Sequence, residues 1–155
     1  MATNVKIQVN DKELRQALRV APNRIINAMH TSLTRSAVQT QRYFREEITN
    51  NGSIHTGELR RSVHFGFKDK LSVVIEPEAK YADYVEKGTK PHWTSVRNLE
   101  SWAKFRGINP YVLQRSIARK GTKAHPFEQR TAQRATVFAT KDMQQQLDKS
   151  MKEIL

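Results

Sequence analysis

The sequence contains no cysteine, which excludes disulfide bonds, thiol nucleophiles, iron–sulfur clusters and cysteine-based zinc sites. It also lacks long apolar runs, and those present are far shorter than the roughly 18 residues that a membrane-spanning helix needs. The first residues, MATNVK, do not supply the apolar core of a signal peptide. We therefore expect a soluble protein made inside a cell, with one domain over residues 1–155, since domains cluster at about 100–150 residues.

Acidic residues are scarce in this chain. It has 15 Asp and Glu against 27 Lys and Arg, so the formal net charge is +12. Residues 89–134 hold ten basic and two acidic residues, so this stretch alone carries +8. An excess of positive charge favours an anionic partner, which can be nucleic acid, an acidic protein surface or a membrane face. The concentration of charge in one stretch predicts a single basic region.

The amino-terminal third predicts a short strand followed by two helices. Apolar residues alternate with polar ones at positions 5, 7 and 9, as in a half-buried strand. Asn10 and Glu13 have the spacing of a capping box and predict a short helix from 11 to about 20. Pro22 suits the first turn of a second helix of about 28 residues, which ends at Asn50-Asn51-Gly52. The predicted apolar face of this long helix consists of Ile26, Met29, Leu33, Ala37, Phe44 and Ile48.

The next segment predicts an antiparallel hairpin. Apolar residues alternate at 63–67 and again at 71–75, on either side of a polar turn at residues 68–70. A three-residue turn predicts facing pairs on one side of the hairpin: Phe67 with Leu71, Phe65 with Val73, and Val63 with Ile75. We expect the long helix to cover this apolar face and Pro77 to end the second strand.

The remaining sequence predicts a helical turn at 81–85, a helix over 95–106 capped by Ser95, another over 110–120, and a long helix over 127–154. Together the elements predict an α+β fold. A small antiparallel sheet, the hairpin plus the N-terminal strand, packs against the long N-terminal and C-terminal helices, and residues 91–121 form a basic two-helix insertion. Residues 87–92 (KGTKPH) and 120–125 (KGTKAH) are similar, and because both follow a predicted helix, a shared way of ending a helix explains the echo.

No residue pattern in the chain predicts an active site. The five histidines are scattered without metal-ligand spacing. Glu46 and Glu47 are adjacent in a helix, so their side chains point in different directions and favour a solvated face. The glycines lack the spacing of a phosphate-binding loop. We predict no enzymatic activity, no cofactor and no metal site, although the charge and the scattered histidines leave a small basic nuclease or toxin as an alternative.

A second alternative is a DNA-binding regulator of the helix-turn-helix type. Residues 95–120 form two predicted helices joined by a tight turn, which is the outline of that motif. Gln114, Arg115 and Arg119 are the candidates for base or phosphate contacts. Leu113 and Ile117 compete for the helix face that Gln114 needs.

Three ordered segments resemble the tail-component family of tailed bacteriophages, whose members are called minor tail, tail-completion or head–tail joining proteins. They are residues 56–62 (TGELRRS), 81–89 (YADYVEKGT) and 124–127 (AHPF). Members of this family typically show TG-x-L-x-x-S, YA-x-x-VE-x-GT and a PF pair before a C-terminal helix. The resemblance covers residues 11–155 and is most specific at 81–89, whereas the stretch 91–120 is of a kind that varies among such proteins.

The resemblance implies structural and interface roles for the matching residues. We expect Tyr81 and Tyr84 to cover the end of the sheet, Gly88 to adopt a left-handed conformation, and Phe127 to anchor the last helix. The motif and interface candidates are Thr56, Gly57, Leu59, Ser62, Tyr81, Tyr84, Glu86, Gly88, Thr89, Pro126 and Phe127. The basic candidates for partner contact are Arg97, Lys104, Arg106, Arg115, Arg119, Lys120 and Lys123.

The family further implies a non-enzymatic virion protein of a tailed phage or prophage, acting at the head–tail neck or the tail end. Such proteins assemble into rings, which need one surface patch to meet a different patch on the next copy. The implied partners are further copies of the chain and other neck or tail proteins, with no membrane. The basic region then meets either an acidic ring or DNA phosphates non-specifically. The implied location is the virion, and the host cytoplasm during assembly.

Overall fold

The computed structural model describes residues 12–53 and 55–154 and has the expected α+β architecture. Its elements in chain order are α1 (Lys12–Val20), α2 (Pro22–Asn50), α3 (Glu58–Arg61), β1 (Val63–Asp69), β2 (Ser72–Pro77), α4 (Ala82–Lys87), α5 (Val96–Phe105), α6 (Pro110–Lys120) and α7 (Glu128–Lys152). The predicted strand at 5–9 and the capping residue Asn10 lie outside the described residues. Within those residues, the sheet has two antiparallel strands.

The two long helices, α2 and α7, pack side by side in opposite directions. Ile25 near the start of α2 lies in one core cluster with Leu147 near the end of α7. Phe44, late in α2, instead packs against Phe127 at the start of α7, with ring centroids 6.1 Å apart. Helix α1 adds the buried Ala17 to the first cluster. Each large apolar side chain buried in this way stabilises the fold by about 1.5–3 kcal/mol.

The predicted apolar face of α2 is confirmed at Ala37, Phe44 and Ile48, which are buried. At the start of the helix the prediction is wrong by one position, since Ile25 is fully buried and Ile26 only half-buried. The same helix also buries the polar residues Ser32, Ser36, Thr40 and Glu47. An apolar pattern cannot reveal these residues, because it counts only apolar side chains.

The prediction that Glu46 and Glu47 form a solvated face is wrong for Glu47, which is buried, whereas Glu46 is exposed as predicted. Arg134 of α7 donates to both carboxylates, at 2.7 Å to Glu46 and 2.9 Å to Glu47. Its guanidinium also lies 4.0 Å from the ring centroid of Tyr43. Arg134 thus binds two carboxylates that leave α2 in different directions, and it links the last turns of α2 to α7.

The predicted hairpin is confirmed, but its predicted register is wrong by two residues. The observed pairs include Phe67 with Val73, Phe65 with Ile75, and Val63 with Pro77. A shift of two keeps every side chain on the same face, so hydrophobic alternation cannot tell the two registers apart. The turn decides between them. Asp69 accepts the N–H of Leu71 at 2.8 Å, which places Leu71 in the turn and leaves it 41% exposed.

The carboxy-terminal helices form where they were predicted, but the start of α5 differs from the prediction. Ser95 precedes α5, but its side chain makes no capping hydrogen bond, whereas Asn109 does cap α6 by accepting the N–H of Tyr111 at 2.9 Å. The one-turn helix α3 was not predicted. It begins after Gly57, whose φ of 74° lies in the left-handed region. In the part of the chain that the structure describes, no helix is long and apolar enough to cross a membrane.

Candidate interface around the motif junction

The three sequence segments at 56–62, 81–89 and 124–127 come together at one end of the α2–α7 pair, in a region that we call the motif junction. Each contributes a buried apolar side chain to one cluster: Leu59 from the first, Ala82 from the second and Phe127 from the third. Phe127 is fully buried. The segments are separated in the sequence but form a single packing unit, so part of their role is to hold the fold together.

Glu86, from the second segment, caps α7, the helix that follows the third segment. Its Oε2 accepts the backbone N–H of Phe127 at 2.6 Å and that of Glu128 at 3.1 Å. These N–H groups have no partner within the helix, and a carboxylate at a helix N-terminus also interacts favourably with the helix dipole. Glu86 therefore links α4 to α7 by two charge-assisted hydrogen bonds.

The two similar segments found in the sequence pair with each other. Thr89 and Thr122 form an isolated antiparallel bridge, in which each backbone N–H donates to the other carbonyl at 3.2 Å. Their hydroxyls lie 3.0 Å apart. Gly88 and Gly121, which precede them, have φ of 70° and 74°. The positive φ predicted for Gly88 is therefore confirmed, although its ψ of −178° lies outside the left-handed helical region. The two similar segments therefore do more than end two helices, because the bridge between them also joins the two ends of the insertion.

A Cβ atom at either glycine would collide with the opposite copy. At Gly88 it would lie 2.5 Å from the carbonyl oxygen of Thr122, and at Gly121 it would overlap the carbonyl of Thr89. Both positions therefore need glycine for the close approach as well as for the positive φ.

His125 of the third segment, which was not among the candidates, ties this region to α2. Its N–H donates to the carbonyl of Val85 at 2.9 Å, and its carbonyl accepts from the Asn51 side chain at 3.1 Å. Its Nδ1 lies 3.0 Å from the Asn51 carbonyl. The sequence signal for His125 is that a histidine stands two positions after KGTK in both similar segments. This repeat does not reveal which residues His125 contacts.

The expectation that Tyr84 covers the end of the sheet is wrong. Its side chain is 63% exposed, and Tyr81 is 38% exposed. Ala82 and Val85 take the inward positions of α4. Burial, with a further contribution from the nearby Glu58 carboxylate, raises the pKa of the Tyr81 hydroxyl. The tyrosines thus form an exposed aromatic pair beside the buried part of the junction.

The remaining candidates are local turn residues. The Thr56 hydroxyl accepts the N–H of Glu58 at 3.3 Å, and the Ser62 hydroxyl donates to the Leu59 carbonyl at 2.9 Å. Pro126 is exposed at the entry to α7. These contacts shape the turns before β1 and α7.

The family model described as "Bacteriophage HK97-gp10, putative tail-component" matches residues 6–88 of this chain. This chain belongs to that family. The match includes the first segment of the motif junction and all of the second except Thr89. The insertion and α7 lie beyond it. Comparisons with curated proteins and with solved structures give no match.

The two-helix insertion of this phage tail component is fixed to its body at several points. Arg106 donates to the Gly52 carbonyl at 2.8 Å, and its guanidinium lies over the rings of Trp102 and Phe105. His55 lies 2.9 Å from the Ser101 hydroxyl. Arg106 is therefore engaged in holding the insertion against the loop after α2.

The other six basic candidates are all exposed: Arg97, Lys104, Arg115, Arg119, Lys120 and Lys123. Within residues 12–53 and 55–154 none of them forms an ion pair. Gln114, which the helix-turn-helix alternative needs for base contacts, instead donates to the Thr94 carbonyl at 2.8 Å. The structure thus leaves the cationic side chains available for a partner, whereas the Gln114 amide that the helix-turn-helix alternative assigns to base contacts is already hydrogen-bonded within the protein.

The insertion also exposes apolar side chains, which sequence reasoning did not assign to a surface. Around the turn between α5 and α6 lie Phe105, Ile108, Tyr111 and Val112, which we call the insertion patch; they are 58%, 39%, 67% and 63% exposed. An exposed group of this kind is typical of a protein contact surface. Among the described residues, no cluster of His, Asp and Glu is arranged to hold a metal ion.

Proposed function

We propose that this phage tail component is a structural, non-enzymatic subunit of the head–tail neck, where it acts in tail completion or head–tail joining as part of a ring. The observation that carries the proposal is the insertion patch with its surrounding cations. Aromatic residues and arginine are enriched at protein interfaces. A monomer gains nothing from exposing such a group, so we expect a partner protein to cover it.

The partner that fits best is an acidic surface of a neighbouring neck or tail protein. Tyr111 and Val112 supply apolar contact, while Arg115 and Arg119, further along the same helix, supply positive charge. A ring needs two different patches on each subunit. Tyr81, which precedes α4, and Tyr84 within it are exposed and offer a second aromatic surface that is separate in the sequence from the insertion.

A deletion in the phage tests the proposal directly. We expect electron micrographs of lysates to show filled heads and tails that are separate, and infectivity to return when the wild-type chain is supplied from a plasmid. Fully joined, infectious particles from the deletion phage would contradict a neck role.

A double variant tests the insertion patch itself. We expect Tyr111→Ser with Val112→Ser to fold as wild type but to fail in restoring head–tail joining. Val137→Ser is the matched control, because Val137 is equally exposed, at 72%, but lies on α7. Loss of joining in both variants, or in neither, would argue against a specific role for the patch.

DNA is the alternative partner for the six exposed basic side chains. The salt dependence of binding distinguishes DNA from a protein partner. Binding to phosphates weakens steeply with salt and shows no sequence preference. We expect Arg115→Glu with Arg119→Glu to prevent joining, while the purified wild-type chain does not bind random duplex at physiological salt. Duplex binding that this variant abolishes would identify DNA as the partner.

A further inference from the structure

The two helices of the insertion, α5 and α6, pack against each other and form a unit of their own. Ala103 of α5 is fully buried and Ile117 of α6 is 7% exposed, and neither belongs to the two buried clusters of the body. The Gln114 side chain donates to the Thr94 carbonyl at 2.8 Å, and the Ile108 N–H donates to the Ala103 carbonyl at the same distance. The insertion therefore holds its shape through contacts within itself.

At its base, this unit is joined to the body by a short two-stranded connection. Besides the two backbone hydrogen bonds of the Thr89–Thr122 bridge, the Thr122 N–H also lies within 3.1 Å of the Thr89 hydroxyl. His92 donates its N–H to the Ile117 carbonyl at 3.4 Å, so it already belongs to the helical unit. Residues 90–91 on one side and Gly121 on the other are left between the bridge and the unit. Hinges are formed by a few such residues at the ends of elements.

The tip of the insertion, around the turn between α5 and α6, is held to the body by two exposed polar contacts. Arg106 donates to the Gly52 carbonyl at 2.8 Å, and His55 Nε2 lies 2.9 Å from the Ser101 hydroxyl. In the part of the chain that the structure describes, no other hydrogen bond or ion pair joins the insertion to the body. Contacts that are few and exposed to water open at a low cost in free energy.

The contact at the tip also leaves one buried polar atom unsatisfied. The His55 ring lies 5.1 Å from the Phe105 ring and touches the Ser101 hydroxyl through Nε2. Its other nitrogen, Nδ1, is buried and has no hydrogen-bond partner among the described residues. A polar atom that loses water without gaining a partner is destabilising. Release of the tip returns the His55 ring to water, which offsets part of the contact that is lost.

We propose that the insertion is a hinged arm, which swings as one unit about residues 90–91 and Gly121 when the contacts made by Arg106 and His55 open. We call these two contacts, from Arg106 to Gly52 and from His55 to Ser101, the latch. The 11 residues of α6 give the arm a length of about 16 Å, so a swing of roughly 30° moves its tip by about 8 Å. The insertion patch lies at the tip and therefore moves furthest.

The latch shares a residue with the insertion patch, and this couples the arm to partner binding. Phe105 is 58% exposed, and the His55 ring lies against it. A partner that covers the whole Phe105 ring binds the released arm more tightly, and tighter binding to one state shifts the population towards that state. Release also frees Arg106 to pair with an acidic group of the partner. This use of the arm rests on the proposed function, whereas the movement is a property of the chain alone.

Distances between spin labels test the arm in the purified full-length chain, which has no native cysteine. One pair of labels, at Lys104→Cys and Gln145→Cys, joins the tip to α7, and a second pair, at Lys120→Cys and Gln145→Cys, joins the base to α7. All three side chains are exposed. Double electron–electron resonance gives the distribution of each distance, and circular dichroism gives the helix content. We expect narrow distributions for both pairs while the latch is intact.

The latch variant combines Arg106→Ala with His55→Ala. We expect its tip distance to broaden by about 8 Å, as the estimated swing requires, while the base distance and the helix content stay as in wild type. Arg115→Ala with His64→Ala is the matched control, because it removes one arginine from the insertion and one histidine from the body. Both of these side chains are exposed and neither is in the latch. We expect the control to match wild type at both distances.

Several results would overturn the proposal. A tip distance that is equally wide in wild type, control and latch variant, whether narrow or broad, would show that the latch does not hold a mobile arm. Equal broadening in the control and the latch variant would show that the effect is not specific to the latch. Loss of helix, or equal broadening at tip and base, would show that the insertion unfolds instead of swinging. Head–tail joining in the phage is scored separately, so each of these results would leave the proposed function standing.

Discussion

The carboxylate of Glu86 accepts the backbone N–H of Phe127 at 2.6 Å, although 41 residues separate the two in the sequence. The same oxygen accepts the N–H of Glu128, so one side chain accepts two backbone N–H groups at the start of α7. Phe127 itself is fully buried against Phe44. Phe127 also lies in one buried cluster with Ala82 of the second segment, so the second and third motif segments are coupled by a polar contact and an apolar one. In this chain the two contacts fix where α7 begins.

Glu86→Ala tests the polar half of this coupling. We expect it to lower the free energy of unfolding by about 2–3 kcal/mol, because two hydrogen bonds to a charged acceptor are lost and the Phe127 N–H stays buried. Urea denaturation followed by circular dichroism measures the change. Asp83→Asn is the control. It breaks only the exposed pair with Lys87 and should change little, so an equal loss in both variants would contradict the capping role.

Gly121→Ala tests the bridge between Thr89 and Thr122. Any alanine at a positive φ is strained, by about 1–2 kcal/mol. At Gly121 the new Cβ also overlaps the Thr89 carbonyl, so the bridge must open and a further 1–3 kcal/mol or so is lost with its hydrogen bonds. Gly107→Ala is the control, because Gly107 also has a positive φ, of 66°, but a Cβ there meets nothing within 4 Å. Equal melting temperatures for the two variants would rule out the steric argument.

Phe127→Ala tests the apolar half of the coupling. Because the ring is fully buried, we expect a loss of about 3–5 kcal/mol in the free energy of unfolding. Tyr84→Ala, at a side chain that is 63% exposed in the same region, should stay within about 0.5 kcal/mol of wild type. If Phe127→Ala instead folds normally and only blocks particle assembly, Phe127 belongs to a subunit interface.

Helix positions were predictable because local signals mark them. Pro22 begins α2, Asn109 caps α6, and Gly88 ends α4 with a positive φ. The hairpin register was not predictable from alternation, since a shift of two residues preserves the faces. Its determinant is a single side-chain contact, from Asp69 to the N–H of Leu71, which a pattern of apolar residues does not contain.

The candidate site was predictable as a set of residues but not as an arrangement. Glu86, Gly88 and Phe127 were singled out by motif, yet their contacts cross 30 residues or more. Long-range contacts depend on how the helices pack against one another, and local sequence patterns do not reveal that packing. The same limit explains Tyr84. A spacing of three placed it on one face with Tyr81, but whether that face is covered depends on Ala82 and Val85 packing inward.

Glu128 gives the chain a pH dependence that can be measured. Burial, together with the nearby Glu86 carboxylate, raises the pKa of Glu128 above its ordinary value. The folded state then binds this proton more tightly than the unfolded state. The resulting stabilisation is complete below the unfolded pKa of about 4.3 and is lost as the pH rises through the higher folded pKa. At neutral pH the ionised Glu128 is a source of repulsion beside Glu86.

Glu128→Gln removes this repulsion without removing the side chain, and the Glu86 cap stays in place. We expect its melting temperature to exceed that of wild type at pH 7 and the difference to shrink as the pH is lowered towards 4. Scanning calorimetry between pH 3.5 and 7.5, as a rough span around the expected transition, measures it. Glu100→Gln, on the exposed surface of α5, corrects for the loss of one negative charge from a strongly basic chain. A difference that does not change with pH would mean that Glu128 has the same pKa in the folded and unfolded states. A variant that melts below wild type at pH 7 would mean that helix-dipole attraction at the start of α7 outweighs the repulsion from Glu86.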